Sequence, residues 1–167
     1  VINNAAENEN IKNLLLDALV STRSVDGGQA IHAWIGATDY EDVNSTDTNG
    51  TAISLNASEG AWKWTDGTDV NASYQNWGSA GVPEANGSDF AAMALEAWEK
   101  NATRNGQAGQ WSDLNGSMNR LAYVIEYDLG EDDPGSIAPT IGTKKILVIR
   151  ARYKDDQNDG VIFNPDG

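Results

Sequence analysis

The 167-residue chain has no cysteine, which excludes a disulfide framework, a thiolate metal site and a cysteine nucleophile. Its single histidine, His32, falls on a predicted strand with no nucleophile phrase around it, so a catalytic triad or a zinc site lacks the partners that it needs. No glycine-rich phosphate-binding phrase is present either. The sequence therefore predicts a protein that is not an enzyme.

Basic residues are also scarce. The chain has 11 Lys and Arg against 25 Asp and Glu, which gives a formal net charge of −14 at pH 7. Because the neutralisation of phosphates needs clustered basic residues, we expect no nucleic-acid partner. No apolar run is long enough for a membrane span, and the first residues lack a signal-peptide pattern. The acidic charge suits cations as partners. Alternatively, it only solvates the protein surface in a saline medium, and this role requires no binding site.

The tryptophans of this chain have an informative arrangement. Five of its six tryptophans, all but Trp98, recur within an ordered series of short phrases, most of which contain glycine or acidic residues. The phrases are Trp34-Ile35-Gly36, Glu59-Gly60-Ala61-Trp62-Lys63-Trp64, Asn76-Trp77, Val82-Pro83-Glu84, Gly109-Gln110-Trp111-Ser112-Asp113 and Tyr123-Val124-Ile125-Glu126. Aromatic and glycine clusters occur in any β-rich domain, but that explanation accounts for the residue types and not for the order of the phrases.

In order and spacing, these phrases resemble a C-type-lectin-like domain over residues 1–128. The resemblance implies an α+β fold, in which the first phrase is a central strand and the proline phrase belongs to a long calcium-binding loop. The last two phrases would be the closing strands. Animal members carry paired cysteines, whereas Phe90 and Ile125 stand at two of those positions here. The tryptophans that the family packs in its core correspond to Trp34, Trp62, Trp64 and Trp111.

The same resemblance implies two places for a calcium ion. The acids of the family's structural calcium site correspond to Asp39, Glu59 and Asp89. The family's sugar-binding site has two triplets of residues that hold calcium. The corresponding triplets in this chain, Val82-Pro83-Glu84 and Trp111-Ser112-Asp113, differ from the family's, and Glu84 and Asp113 are the carboxylates that remain. Such oxygen ligands are the ones that calcium takes. The alternative for each acid is that it only solvates an exposed loop.

Trp77 is a further ligand-binding candidate. The family packs the other phrase tryptophans in its core, but the position of Trp77 is less settled. An exposed aromatic ring beside polar loops stacks on a sugar ring. We therefore expect Trp77 to contribute to glycan binding.

Asparagine triplets of the form Asn-x-Ser/Thr indicate the compartment. They begin at Asn44, Asn49, Asn56, Asn71, Asn86, Asn101 and Asn115. Each is an acceptor pattern for N-glycosylation in a stretch that the sequence predicts as loop. The alternative is that asparagine turns happen to be followed by hydroxyl residues. The density of triplets favours an extracellular or cell-surface glycoprotein.

The first residues predict a helix. Asn4 and Glu7 form a capping-box-like start, and apolar residues then recur at helical spacing over roughly residues 5–20. Strands are predicted for residues 30–37, 89–98 and 121–127, and a polar loop for residues 40–58. The family would place a strand and a helix before this one. We therefore expect either a sequence clipped at its N-terminus or another segment that supplies the strand.

The composition changes after residue 128. Residues 129–140 predict a linker, because Gly, Asp and Pro interrupt any strand there. Residues 141–167 contain a strand-like run at 145–153, for which two interpretations stay open. In the first interpretation, the run begins a partial second domain and weakly resembles the start of some secreted metalloprotease domains. Alternatively, it pairs with an exposed sheet edge, either in the same chain or in a neighbouring copy through strand exchange.

Two classes of function remain. The first is a non-catalytic recognition or adhesion module, stabilised by calcium, that binds a glycan or an extracellular protein. The second is a structural or accessory module of a larger secreted enzyme or an extracellular fibre, with the sugar site lost. The altered sugar triplets favour the second class, whereas the loop acids and Trp77 favour the first. Fold alone does not decide between them.

Overall fold

The computed structural model describes residues 1–40, 44–46, 52–54, 60–79, 81, 88–127 and 145–149. In chain order the elements are α1 (Ala5–Asp17), β1 (His32–Thr38), β2 (Asn44–Thr46), β3 (Ala52–Ser54), β4 (Lys63–Trp64), a 3₁₀ turn (Val70–Ala72), β5 (Phe90–Ala94), β6 (Trp98–Asn101), β7 (Arg104–Gly106), β8 (Trp111–Leu114), β9 (Ala122–Tyr127) and β10 (Lys145–Ile149). Helix and mostly antiparallel sheet confirm the α+β class. None of the described helices is long and apolar enough to cross a membrane.

Helix α1 begins where the sequence predicts it. The side chain of Asn4 accepts the backbone N–H of Glu7 at 2.9 Å, which satisfies one of the free donors of the first turn. The Glu7 carboxylate accepts the backbone N–H of Asn3 at 2.8 Å. The helix ends at Asp17, slightly earlier than predicted, and Leu19 follows with a φ of 54° in the left-handed region.

Six strands form the main sheet, in the order β10-β9-β1-β5-β8, with β4 paired to β1. Strand β1 is antiparallel to β4 and β5 and parallel to β9. The predicted strands at 30–37 and 121–127 correspond to β1 and β9, whereas the predicted strand at 89–98 covers β5 and the first residue of β6. The polar stretch 40–58 contains a short antiparallel hairpin, β2 with β3, in place of the predicted continuous loop. Each of its strands has three residues, which is too short for an alternating pattern to be visible.

The two faces of the sheet carry separate apolar clusters. Ile35 of β1 and Met93 of β5 face the main cluster, where Ile11 and Leu15 of α1 pack on them. Trp34 points to the opposite face, because successive strand residues alternate, and it packs there against a smaller cluster. The small cluster contains Ala92, Leu114 and Leu121. The helix therefore covers one face of the sheet.

Tryptophans fill the centre of the main cluster. Trp62, Trp64 and Trp111 are fully buried, which confirms the prediction for these three. The ring of Trp111 lies edge-on to those of Trp64 and Trp77, with centroids 5.7 and 5.5 Å apart. Trp34 is only partly buried. Aromatic contacts thus give cohesion to the core of a chain that has no disulfide.

Strand β10 pairs antiparallel with β9 of the same chain, over five residues from Lys145↔Tyr127 to Ile149↔Tyr123. The described part of the run 145–153 therefore covers the outer edge of β9, which would otherwise expose backbone donors and acceptors. The remainder of that run and the predicted linker, residues 129–140, lie outside the described residues.

Two truncations test whether this pairing contributes to stability. Removal of residues 141–167 deletes β10 and should lower the melting temperature by about 5 °C, the effect of a loss of roughly 1–2 kcal/mol. Removal of residues 154–167 keeps β10 and should leave the melting temperature unchanged. Light scattering on the same samples shows whether the bared β9 edge recruits another chain. Equal melting temperatures for the two truncations would contradict a stabilising role of β10.

Candidate functional site: one end of the main sheet

Three chain segments meet at one end of the sheet. Thr38 at the end of β1 is in register with Phe90 at the start of β5, and Phe90 is in register with Leu114 at the end of β8. Because both strand pairs are antiparallel, the residues that follow β1, precede β5 and follow β8 come together. A bulge in β1 contributes to this register: Gly36 has a φ of 78°, and the pairing with β5 shifts between Trp34 and Thr38.

Two of the three acids predicted for the structural calcium site are neighbours at this end. The backbone carbonyl of Asp89 accepts the Thr38 hydroxyl at 2.6 Å and the backbone N–H of Asp39 at 3.3 Å. Asp39 is buried, and its Oδ2 accepts the backbone N–H of Gly60 at 3.0 Å. Glu59, the third acid, precedes Gly60 and lies outside the described residues. Within those residues, no group of three His, Cys, Asp or Glu side chains is arranged to hold a metal ion.

Asp113, predicted for the sugar-binding calcium site, is held by two cationic side chains. It is 4% exposed on β8. Lys100 Nζ lies 3.0 Å from Asp113 Oδ1 and also contacts the Asp113 carbonyl, while Arg104 Nη2 lies 3.2 Å from Oδ2. Both carboxylate oxygens are thus paired, and a calcium ion would have to displace these cations. Glu84, the other predicted ligand, lies outside the described residues.

The sequence offered one signal for this ion cluster, which the prediction missed. Lys100 and Arg104 belong to the β6–β7 hairpin and are two of the few basic residues in an acidic chain. Buried carboxylates need a partner, since an isolated charge loses its hydration on burial. Basic residues four positions apart on either side of a predicted loop are therefore candidates for pairing with a core acid.

The structure places Trp77 in the core, which corrects its interpretation as a surface platform. Trp77 is 7% exposed, and its ring centroid lies 4.8 Å from that of Trp62. The physical reason is backbone pairing: Trp111 N–H donates to the Asn76 carbonyl at 2.8 Å, and Gly78 N–H donates to the Trp111 carbonyl at 3.0 Å. These bonds align the segment with β8 and turn the indole inward.

An aromatic pocket lies at the sheet end instead, and sequence reasoning missed it. Tyr40, which is 44% exposed, stacks on Phe90 with centroids 6.0 Å apart and planes at 28°. Trp34 meets Phe90 edge-on at 6.1 Å. These rings, with Asp89 and the turn at residues 115–117, line a pocket of about 570 Å³. The available signal was the position of Tyr40, two residues after the end of β1 and next to Asp39.

Gly116 sets how closely the turn after β8 approaches this pocket. A Cβ atom at Gly116 would lie 2.6 Å from Cε2 of Phe90, closer than real Cβ contacts. Any side chain there would therefore push the Phe90 ring or the turn away. The pocket depends on glycine at this position because the ring and the backbone are in contact.

Two predicted glycosylation triplets fold as side-chain-bonded turns. Asn101 Oδ1 accepts both the N–H and the hydroxyl of Thr103, and Asn115 Oδ1 accepts both groups of Ser117 in the same way. Asp66 makes the identical pair of bonds to Thr68, although aspartate is no glycosylation acceptor. The turn chemistry alone therefore accounts for the pattern at Asn101 and Asn115.

The other triplets give less information. Asn71 is exposed next to the 3₁₀ turn, where its backbone N–H is bonded to the Asp69 side chain at 3.0 Å. Asn44 is the first residue of β2. Asn49, Asn56 and Asn86 lie outside the described residues. Glycosylation at any of these positions stays a prediction.

His32 lies within hydrogen-bonding distance of a serine, but both residues are buried. Its Nδ1 is 3.0 Å from the Ser24 hydroxyl and 3.0 Å from the Ala30 carbonyl. No described atom bonds to Nε2. Burial lowers the pKa of His32 below its ordinary value of 6.5, and the charge of Lys100 lowers it further, against opposing effects of Ala30, Asp26 and Glu96. The arrangement favours a neutral, structural imidazole.

The lowered pKa of His32 predicts how stability depends on pH. The unfolded chain takes up this proton near its ordinary pKa of 6.5, whereas the folded chain does so only at lower pH. The contribution of His32 is therefore complete above the unfolded pKa, and it is lost as the pH falls from there through the folded pKa. Denaturant unfolding between about pH 5 and pH 7.5 measures this loss.

Two variants assign the effect to the imidazole. His32→Gln should reduce the fall in unfolding free energy towards acid pH, because the titrating group is gone. Ser24→Ala disturbs the same place but keeps the histidine, so it should keep the fall. An unchanged pH dependence in His32→Gln would show that His32 does not titrate differently on folding.

Comparisons with known proteins leave the family of this chain open. No family model, no curated protein and no solved structure matches it. The resemblance to C-type-lectin-like domains therefore depends on the ordered sequence phrases.

Proposed function

We propose that this protein is a non-catalytic, extracellular recognition module with a C-type-lectin-like fold, and that it binds a glycan or an extracellular protein. The observation that carries the proposal is the convergence of loop acids and accessible aromatic surface at one sheet end. Asp39, Tyr40, Asp89 and the turn at residues 115–117 come there from three separate strands. Recognition domains typically carry their binding groups on loops that a rigid sheet holds in position.

Packing supports the fold assignment. Three of the four tryptophans that the resemblance assigns to the core are fully buried. Strand β1 holds a central place between β9 and β5, as expected for the first tryptophan phrase. A lectin-like domain pairs its first strand with its last, and β10 lies antiparallel on β9 in the place of that pairing. On this proposal, the C-terminal strand supplies the strand that the family has at its N-terminus.

We place the proposed calcium ion at Asp39, Glu59 and Asp89. The adjacency of Asp39 and Asp89, together with the bond from Gly60 to Asp39, brings the neighbour of Glu59 to the same point. Asp113 is the poorer candidate, because Lys100 and Arg104 already balance its charge. The ion would link three loops, and its affinity for the folded state alone would raise stability.

A structural or accessory module is the second candidate function. The pairing of Asp113 and the burial of Trp77 favour it, since neither side chain is available for the ligand role predicted for it. On this alternative the fold serves a larger secreted enzyme or an extracellular fibre, and the aromatic pocket contacts protein.

Thermal unfolding with calcium or with chelator tests the proposed ion. Millimolar calcium should raise the melting temperature of the wild type, and Asp89→Asn should abolish the rise because a ligand charge is lost. Asp113→Asn should lower the unfolding free energy by about 3 kcal/mol with or without calcium, since it leaves two cations without their partner, yet it should keep the calcium-dependent rise in melting temperature. Glu99→Gln, an exposed change beside Lys100, serves as the control. A melting temperature that ignores calcium and chelator would remove the proposed site.

A glycan array, probed with the labelled protein with and without calcium, tests the recognition function. We expect a restricted set of bound glycans. Binding that persists in chelator places recognition away from a calcium ion, whereas binding lost in chelator places it at one. No bound glycan under either condition would contradict glycan recognition and favour the accessory role.

A further inference from the structure

We propose that the pocket formed by Trp34, Tyr40, Phe90, Asp89 and the turn at residues 115–117 binds a neutral pyranose ring. The ring stacks on Tyr40, and the Asp89 carboxylate accepts hydrogen bonds from its hydroxyl groups without an intervening metal ion. This inference rests on the proposed recognition function and names the sugar class and the site. The site is separate from the carboxylate of Asp113, which is closed by ion pairs.

Tyr40 has the properties of a stacking platform. One face of its ring lies against Phe90, at 6.0 Å and 28°, which fixes the plane of the ring. The side chain is nevertheless 44% exposed, so a large part of the ring stays accessible. Trp34 meets Phe90 edge-on at 6.1 Å and supports it from the side. A supported, accessible aromatic surface loses little conformational freedom when the apolar face of a sugar covers it.

Asp89 supplies the polar half of the site. Its backbone carbonyl accepts hydrogen bonds from the Thr38 hydroxyl and the Asp39 N–H, so the backbone is fixed. Asp89 lines the pocket, and no described residue donates a hydrogen bond to its carboxylate. A carboxylate has two oxygens, which allows one to serve the proposed calcium ion and the other to bind a sugar hydroxyl.

The turn after β8 forms the opposite wall. Ser117 donates its hydroxyl hydrogen to Asn115 Oδ1 at 2.6 Å, which leaves the Ser117 oxygen free to accept from a ligand. Gly116 allows the turn to contact Phe90. The pocket volume of about 570 Å³ lies within the range of small-molecule sites, roughly 300–1,000 Å³. One or two sugar rings therefore fit.

The ring geometry favours a sugar over an organic cation. An ammonium ligand is held best by several aromatic faces around it, together with a carboxylate. Here Tyr40 and Phe90 stack on each other, so they present one flat surface instead of facing walls. A flat aromatic surface next to a hydrogen-bond acceptor matches a pyranose, which has one apolar face and a rim of hydroxyl groups.

Titration of the isotope-labelled protein with a panel of neutral methyl pyranosides, followed by NMR, tests the site. We expect shifts of the Asn115–Ser117 amides and of the Trp34 indole N–H, and the same dissociation constant in chelator. Tyr40→Ala should weaken binding about tenfold, the factor that corresponds to 1.4 kcal/mol. Asp89→Asn should weaken binding by a similar factor, and Tyr40→Phe should keep near wild-type affinity. Met118→Ala, an exposed change next to the turn, should have no effect.

The outcomes separate this inference from the recognition function. A glycan that the array identifies but that binds Tyr40→Ala and Asp89→Asn with wild-type affinity would place recognition elsewhere and overturn the pocket alone. No binding of any pyranoside or array glycan would overturn both. Tetramethylammonium, used as a competing probe, would overturn the sugar assignment if it shifted the pocket signals where the pyranosides did not. Unchanged melting temperatures of the variants in chelator establish that binding, and not folding, is lost.

Discussion

The hydrogen bond between the indole of Trp111 and the side chain of Asn8 is the interaction on which the rest of the structure depends. Trp111 Nε1 donates to Asn8 Oδ1 at 2.7 Å inside the core, and Asn8 Nδ2 donates to the Gly109 carbonyl at 3.0 Å. One amide thereby joins the helix to Trp111 of β8 and to Gly109, which precedes that strand. Trp64, Tyr74 and Trp77 surround the same indole edge-on. In a chain without cysteine, this contact holds the helix on the sheet at the residue where β8 begins.

The position of β8 has consequences for charge and for recognition. Asp113 points into the structure, where Lys100 and Arg104 pair with it, because a buried carboxylate needs opposite charge close by. One residue beyond the strand, the turn that starts at Asn115 reaches the aromatic surface of Phe90 and Tyr40. Two of the few basic residues in this strongly acidic chain thus pair with one core acid, Asp113, and Asp89 is left available at the pocket.

Local features of this fold could be predicted from the sequence, and non-local ones could not. Asn4 and the apolar spacing after it predict α1 because capping and periodicity act within a few residues. The burial of Trp77 depends on its pairing with a strand more than thirty residues away, and no local pattern reports that pairing. The pocket likewise depends on the register between Thr38 and Phe90. An aromatic residue after a strand has the same local appearance whether its ring ends in the core or at the surface.

The unfolding free energy of Asn8→Ala, measured by denaturant titration, tests most directly whether the Trp111–Asn8 contact holds the structure together. The substitution leaves the Trp111 N–H buried without its acceptor, which costs about 1–3 kcal/mol. The Gly109 carbonyl keeps a donor, Asn76 Nδ2 at 2.8 Å, so the loss should come mainly from the indole. Asn13→Ala, an exposed change on the same helix, should alter stability by less than about 0.5 kcal/mol. Equal stabilities of the two variants would contradict the account.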